Sequence, residues 1–177
     1  MKRVAILGGS GGIGAALIDL LLERDDVELV HATRRPGLDR GRSNTVSEEA
    51  SGRLRWSEFD ACDEHALKSW VHGLGEVDWL INCVGMLHDQ SHGPEKSVGT
   101  LDSEHFMRSM QVNTLPTLLL AKYALPALRR SPVAVFATIS ARVGSISDNR
   151  LGGWYSYRSS KAALNMSLKC LAIEWAR

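Results

Sequence analysis

The sequence predicts an α/β fold built on a parallel sheet covered by helices on both faces. Three observations predict it. Short apolar runs alternate with stretches of helical periodicity, and those runs lack the in–out alternation of a half-exposed strand. A cluster of glycines also separates the first run from the first helix. At 177 residues the chain, residues 1–177, reads as a single domain, long enough to bury a core without disulfides or metals.

Residues 4–7 are apolar throughout and end in glycines, so they read as a strand buried on both faces. Ile13, Ala16, Leu17, Leu20 and Leu21 recur at helical spacing and predict an amphipathic helix ending near 24–26. A second strand is expected over 27–32. The polar stretch 34–55, with Pro36, Gly37, Gly41 and Gly52, reads as a long exposed loop. A third strand over 54–59 ends at Asp60. Leu67, Trp70, Val71 and Leu74 mark one face of a helix over 63–74, and a fourth strand over 78–84 closes at Gly85. After a polar loop over 87–100 comes a long helical region over 103–130. Pro116 is expected to kink or break it, because proline lacks the backbone donor, and Pro126 marks a further irregularity. A fifth strand over 133–139, a glycine-rich loop through Gly152 and Gly153, and a last helix capped by Ser156 or Ser159 complete the chain.

Composition narrows the function. The 21 basic and 20 acidic residues leave a formal charge of +1, without the basic excess that nucleic-acid partners require. No apolar run approaches the roughly 20 residues of a membrane span, and no signal-peptide block precedes the glycines. A soluble, cytoplasmic protein with no membrane partner is expected. Cys62, Cys83 and Cys170 are odd in number and show no CxxC spacing, so they read as free thiols. His88 and His92 are four apart, but the residues between and after them read as loop, so no metal site is predicted.

Gly8-Gly9-Ser10-Gly11-Gly12-Ile13-Gly14 lies between the first strand and the first helix. Glycines there permit a tight turn and let backbone N–H groups approach a pyrophosphate at the positive end of the helix. The strand before and the helix after supply the context that a glycine motif needs. No Lys-Ser or Lys-Thr pair follows, which disfavours a P-loop. Beyond the second strand come Arg34 and Arg35, while Glu28 falls too early to occupy the strand's end. Two guanidiniums suit a 2′-phosphate, so NADP is favoured over NAD. Tyr157 and Lys161 stand four apart, on one face of a helix. An ammonium beside a phenol favours the phenolate and lowers its pKa, which makes the pair a tuned proton donor and acceptor.

Leu7-Gly8-(x)3-Gly12-Ile13-Gly14, Asn82-Cys83-Val84-Gly85, Asn113 and Tyr157-(x)3-Lys161, in that order, resemble the signature set of the short-chain dehydrogenase/reductase family. Gly144-Ser145-Ile146, Asp148-Asn149, Gly152-Gly153 and Tyr157-Arg158-(x)2-Lys161-Ala162-Ala163-Leu164-Asn165 resemble its C-factor and sniffer-type carbonyl reductase branch. The resemblance implies a Rossmann-type doubly wound sheet and an NADP(H)-dependent oxidoreductase. Such an enzyme moves a hydride between the nicotinamide and a small carbonyl or alcohol substrate, with NAD as second choice of cofactor. A dinucleotide-binding sensor or signalling protein of the C-factor type is the alternative. Gly8, Gly12 and Gly14, with Ser10, Gly11 and Ile13 between them, match the pyrophosphate loop. Asp60, with Ala61 beside it, matches the residue that holds the adenine amino group. Asn82 and Gly85 match the turn beside the adenosine ribose. Tyr157 matches the acid/base, Lys161 the ribose-binding lysine that lowers the tyrosine pKa, and Asn113 the asparagine that holds a relay water. Family likeness also implies a homodimer through the two long helices, 103–130 and 156–177.

Departures from the pattern are informative. Leu7 stands where the family has threonine, which weakens a local turn bond. Asn82-Cys83-Val84-Gly85 has lost one amide. Relatives carry two serines after the fifth strand, and here the second is Ala141. Ser140 is the favoured catalytic serine, with Ser145 and Ser147 as alternatives. No stop signal follows Trp175-Ala176-Arg177, and relatives continue into further strands. A C-terminally incomplete domain, with an exposed fifth strand, is the expectation.

Overall fold

The computed structural model describes residues 1–37 and 52–176. The polar loop expected over 34–55 falls mainly on 38–51, outside the described residues. The chain forms two compact units, one of Met1–Val84 with Leu119–Ile139 and one of Gly85–Leu118 with Ser140–Arg177.

The first unit is the sheet. Strands β1 (Lys2–Leu7), β2 (Val27–Arg34), β3 (Leu54–Glu58), β4 (Trp79–Asn82) and β5 (Val135–Thr138) run parallel in the order β3-β2-β1-β4-β5. Order reverses at β1, which lies between β2 and β4; ligands of such sheets bind at this switch point, beyond the carboxyl ends of the strands. Val4, Ile6, Val30, Ala32 and Leu54 pack with Ile18, Leu21 and Leu22 of helix α1 (Gly12–Leu22). The other face of β2 carries His31, whose ring meets Trp70 of α2 (Glu64–Gly73) at 5.8 Å. Because side chains alternate along a strand, α1 and α2 cover opposite faces of the sheet. Asp63 caps α2 by accepting from the amides of His65 and Ala66, and all four apolar residues expected on its inner face are buried. Glu64 holds the unit's remaining helical segment by accepting from Lys122 and Tyr123.

The inner face of α1 is phased differently from the expectation. Gly14, Ile18, Leu21 and Leu22 are buried, while Ile13 and Leu20 are 58% and 61% exposed. Apolar residues occur almost all round this helix, so periodicity alone did not set its phase. Strand β5 pairs only with β4 among the described residues, and Val135 is 46% exposed, in line with the exposed fifth strand expected.

The second unit contains α3 (Ser103–Asn113) and α5 (Tyr155–Trp175), which pack on each other. The expected helix over 103–130 is two helices, α3 and α4 (Leu115–Leu128), and the break falls at Thr114, two residues before Pro116. Only residues 115–118 of α4 belong to the second unit. Neither Ser156 nor Ser159 caps α5. Its N-cap is Trp154, in a left-handed conformation at φ 53°, and Ser156 lies inside the first turn. No helix among the described residues is long and apolar enough to cross a membrane.

Asp78 ties three segments of the sheet unit together. Its carboxylate accepts from the Arg3 amide at 2.8 Å and the Ser131 hydroxyl at 2.5 Å, with the side chain buried. Burial pushes this carboxyl up, but the Ser131 hydroxyl and the Arg3 amide outweigh it and hold it below the ordinary value. Asp78→Ala leaves two donors without a partner and should lower the free energy of unfolding by about 1–3 kcal/mol, read by urea denaturation. In the native chain the contribution is present above about pH 4 and is lost on acidification, since the depressed group must then be protonated.

Candidate active site

The glycine loop leaves β1 at the switch point. Gly8 adopts φ 84°, a conformation that costs a side chain strain. A Cβ at Gly14 would stand 2.3 Å from the Gly8 carbonyl oxygen, so only glycine lets α1 begin so close to the strand. At Gly12, by contrast, a Cβ would meet nothing within 4 Å. No side chain caps α1 at Gly11, and the first-turn amides of a helix have no partner within it. An exposed, uncapped helix start with open space before it fits a pyrophosphate.

The weakness expected from Leu7 is made good from β2. Thr33 accepts from the Gly8 amide through its hydroxyl at 2.9 Å and from the Gly9 amide through its carbonyl at 2.8 Å. Motif comparison overlooked Thr33 because it lies 25 residues downstream; parallel pairing of Ile6 with Ala32 brings it alongside. Arg34 ends β2 rather than starting a loop. Its Nε donates to Glu58 at 3.1 Å, its guanidinium lies 5.8 Å from the Trp56 ring centroid, and its buried Nη1 has no hydrogen-bond partner among the described residues. An anion is the partner that such a nitrogen accepts. Arg35 is exposed. At the ends of the next two strands, Asp60 accepts from the Cys62 amide at 2.9 Å beside Ala61, and the buried Asn82 accepts from the Val84 amide at 2.9 Å. Ser10 and Ala61 are half-buried and Ile13 is exposed.

The second unit gathers the polar residues. Tyr157 and Lys161 share one face of α5, with the Lys161 amine 5.8 Å from the Tyr157 ring centroid. Lys161 is only 2% exposed. Gly85 adjoins this amine: a Cβ there would lie 3.4 Å from both Lys161 Nζ and Asn113 Oδ1. The buried Asn113 amide accepts from the Met86 amide at 2.7 Å and donates to the Met86 carbonyl and the Ser160 hydroxyl, each at 2.9 Å. Both of its donors are therefore committed, leaving one carbonyl lone pair.

Among the three serines, Ser140 donates to Asn165 at 2.6 Å. Asn165 follows Lys161 by four residues and Tyr157 by eight, so Ser140 is bonded to the face that carries the pair. Gly144 is required beside it, because a Cβ there would stand 2.8 Å from Lys161. Ser145 and Ser147 face each other at 3.5 Å, and Ser145 accepts from the Asp148 amide.

The proton affinities differ from expectation. Burial raises the Tyr157 phenol above its ordinary value and lowers the Lys161 amine below its own. Loss of hydration opposes the charged form of each, so the expected depression of the phenol by the lysine does not govern the tyrosine here.

Glu95 is a site residue without a sequence signal. From the loop before α3, its carboxylate accepts from the Ser156 amide at 3.3 Å and from the Ser156 hydroxyl, while its carbonyl accepts from the Trp154 amide at 2.6 Å. It thus caps the helix that carries Tyr157 in its first turn, where negative charge is favoured.

Residues 2–177 match the family model for short chain dehydrogenases, and the chain belongs to that family. It is 44% identical over 170 residues to 1-hydroxy-2-glutathionyl-2-methyl-3-butene dehydrogenase of Rhodococcus sp. (strain AD45), covering 94% of this chain and 68% of that protein. It is 35% identical over 100 residues to C-signal of Myxococcus xanthus, covering 56% and 57% respectively. Carbonyl reductase Sniffer of D. melanogaster superposes with a TM-score of 0.83 at 25% identity, over 98% of this chain and 75% of that one. NADPH-bound carbonyl reductase from chicken fatty liver gives a TM-score of 0.83 at 26% identity, over 99% and 71%. Together these bear out the resemblance to the C-factor and carbonyl reductase branch. The chain spans 62%, 57% and 60% of three of its curated relatives.

Glu95→Ala removes the cap of α5 and should lower the free energy of unfolding by about 1–2 kcal/mol. Glu95→Gln keeps an acceptor and should lose less. Thermal unfolding of the two variants, compared with the wild type, separates these outcomes.

Proposed function

We propose that this short-chain dehydrogenase interconverts a carbonyl and an alcohol on a small molecule, with NADPH as the favoured cofactor and NADH as second choice. The observation that carries the reading is the buried Lys161 amine over the Tyr157 ring, an arrangement whose charge acts at low dielectric. The open backbone at Gly12 and the Arg34 Nη1, without a partner among the described residues, support a phosphorylated dinucleotide, as does the NADPH bound to the chicken carbonyl reductase.

Gly8 to Gly14 and the uncapped start of α1 hold the pyrophosphate, Arg34 the 2′-phosphate, Asp60 and Ala61 the adenine, and Asn82 and Gly85 flank the ribose. Bound NADPH supplies the hydride that adds to the carbonyl carbon. Tyr157 gives its phenolic proton to the carbonyl oxygen as negative charge develops there. Lys161 binds the ribose hydroxyls and stabilises the phenolate left on Tyr157. Ser140, released from Asn165, donates to the same oxygen. The remaining lone pair of Asn113 holds a water that returns a proton. Exposed Met107 on α3 and Met166 and Ile173 on α5 support a homodimer through these helices.

Tyr157→Phe should reduce turnover by about 10²–10⁴-fold and leave NADPH affinity unchanged, measured by NADPH oxidation against aldehydes, ketones and quinones and by fluorescence titration. A Phe variant that keeps most of its activity would falsify the assignment. Wild-type protein that binds NADPH but reduces nothing in the panel would favour the sensor reading instead.

The raised phenol sets the pH response. Carbonyl reduction uses protonated Tyr157, so kcat/KM should stay flat through neutral pH and fall only in alkaline solution. Alcohol oxidation uses the phenolate and should rise over the same range.

A further inference from the structure

The loop before α3 brings together three ligand-type side chains that the proposed reaction does not use. Asp89 lies on the loop, His92 three residues on, and His105 in the first turn of α3. The Asp89 carboxylate stands 3.2 Å from His92 Nδ1 and 3.3 Å from His105 Nδ1. All three ligand atoms lie within 4.8 Å of one another. Atoms bound tetrahedrally at about 2.0–2.1 Å from a zinc-class ion stand roughly 3.3 Å apart, which is the spacing of both imidazole nitrogens from the carboxylate.

The surroundings favour a cation. Asp89 is set by its own loop, accepting from the Ser91 and His92 amides at 2.8 and 2.7 Å. His105 is 4% exposed, and its backbone amide donates to Asp102 at 2.7 Å, the cap that starts α3. The two rings stack with centroids 4.8 Å apart. Two imidazoles and one carboxylate make a three-ligand set of the zinc type. The His92 side chain is 40% exposed and can swing so that its lone pair converges with that of His105. A cavity of about 370 Å³ adjoins the cluster, lined by Glu95, Thr100 and Asp102 as well as by the two histidines. It leaves room for a fourth, exchangeable ligand, and its wall carries Lys96 as well as the Glu95 and Asp102 carboxylates.

We propose that Asp89, His92 and His105 bind a divalent cation of the zinc class with one open coordination position. The ion braces the loop 89–95, whose last residue, Glu95, caps α5. The fold carries this site independently of the dinucleotide.

The test uses chelator-treated, dialysed full chain and the metals alone. Co²⁺ should produce visible ligand-field absorption at one equivalent, and Zn²⁺ should displace it and raise the melting temperature. His92→Gln, Asp89→Asn and His105→Gln should each weaken binding by about tenfold or more, while His88→Gln, one residue outside the set, should bind as the wild type does. His92 lies on the partly exposed loop, so its variant tests the site even if substitution at buried His105 disrupts folding. Absence of a Co²⁺ spectrum in the wild type, or wild-type affinity in His92→Gln, overturns the proposal.

Discussion

A single close approach governs the glycine loop. The Gly8 carbonyl lies where any side chain at residue 14 would have to begin, so the chain passes from β1 into α1 with almost no space between strand and helix. This brings the helix start, with its unpaired amides, to the carboxyl end of the central strand. Thr33 secures the turn from the neighbouring strand through two bonds to Gly8 and Gly9. The glycines and Thr33 therefore act as one device: the first permits the geometry and the second holds it.

The second unit is held by a cluster of buried polar groups that bond to one another. Asn113 makes three bonds, two of them to one backbone residue, and in doing so fixes Met86 next to Gly85 and the Lys161 amine. Thr114 adds a bond from its hydroxyl to the Ser160 carbonyl at 2.9 Å. A buried polar cluster of this kind rigidifies its surroundings because any broken bond leaves an unsatisfied group. Glu95 extends the same logic to the first turn of α5, where a carboxylate replaces the side-chain cap that Trp154 lacks. The helix that presents Tyr157 is thus held at its start by a loop residue 61 positions earlier.

Much of the fold was legible because strand and helix patterns are local. All five strands and the inner face of α2 follow from runs and spacings within a few residues. The phase of α1 was not legible, because Ile13 and Leu20 are as apolar as the residues that are buried, and only the position of the sheet distinguishes them. The break at Thr114 was signalled by Pro116, but the reach of each helix was not. Among the candidate residues, the glycines, Asn113, Tyr157 and Lys161 were legible through their motif order and Arg34 through its place after the second strand.

The sequence by itself determined the type of fold, the glycine loop between β1 and α1 and the i, i+4 pairing of tyrosine with lysine, since each rests on neighbours in the chain. Tertiary structure alone decided that Thr33 supports Gly8, that Glu95 caps α5, that Ser140 rather than Ser145 meets Asn165, and that His105 joins Asp89 and His92. It also decided the sign of the Tyr157 shift. Burial is a property of the folded environment, and its cost in lost hydration appears in no spacing of residues along the chain.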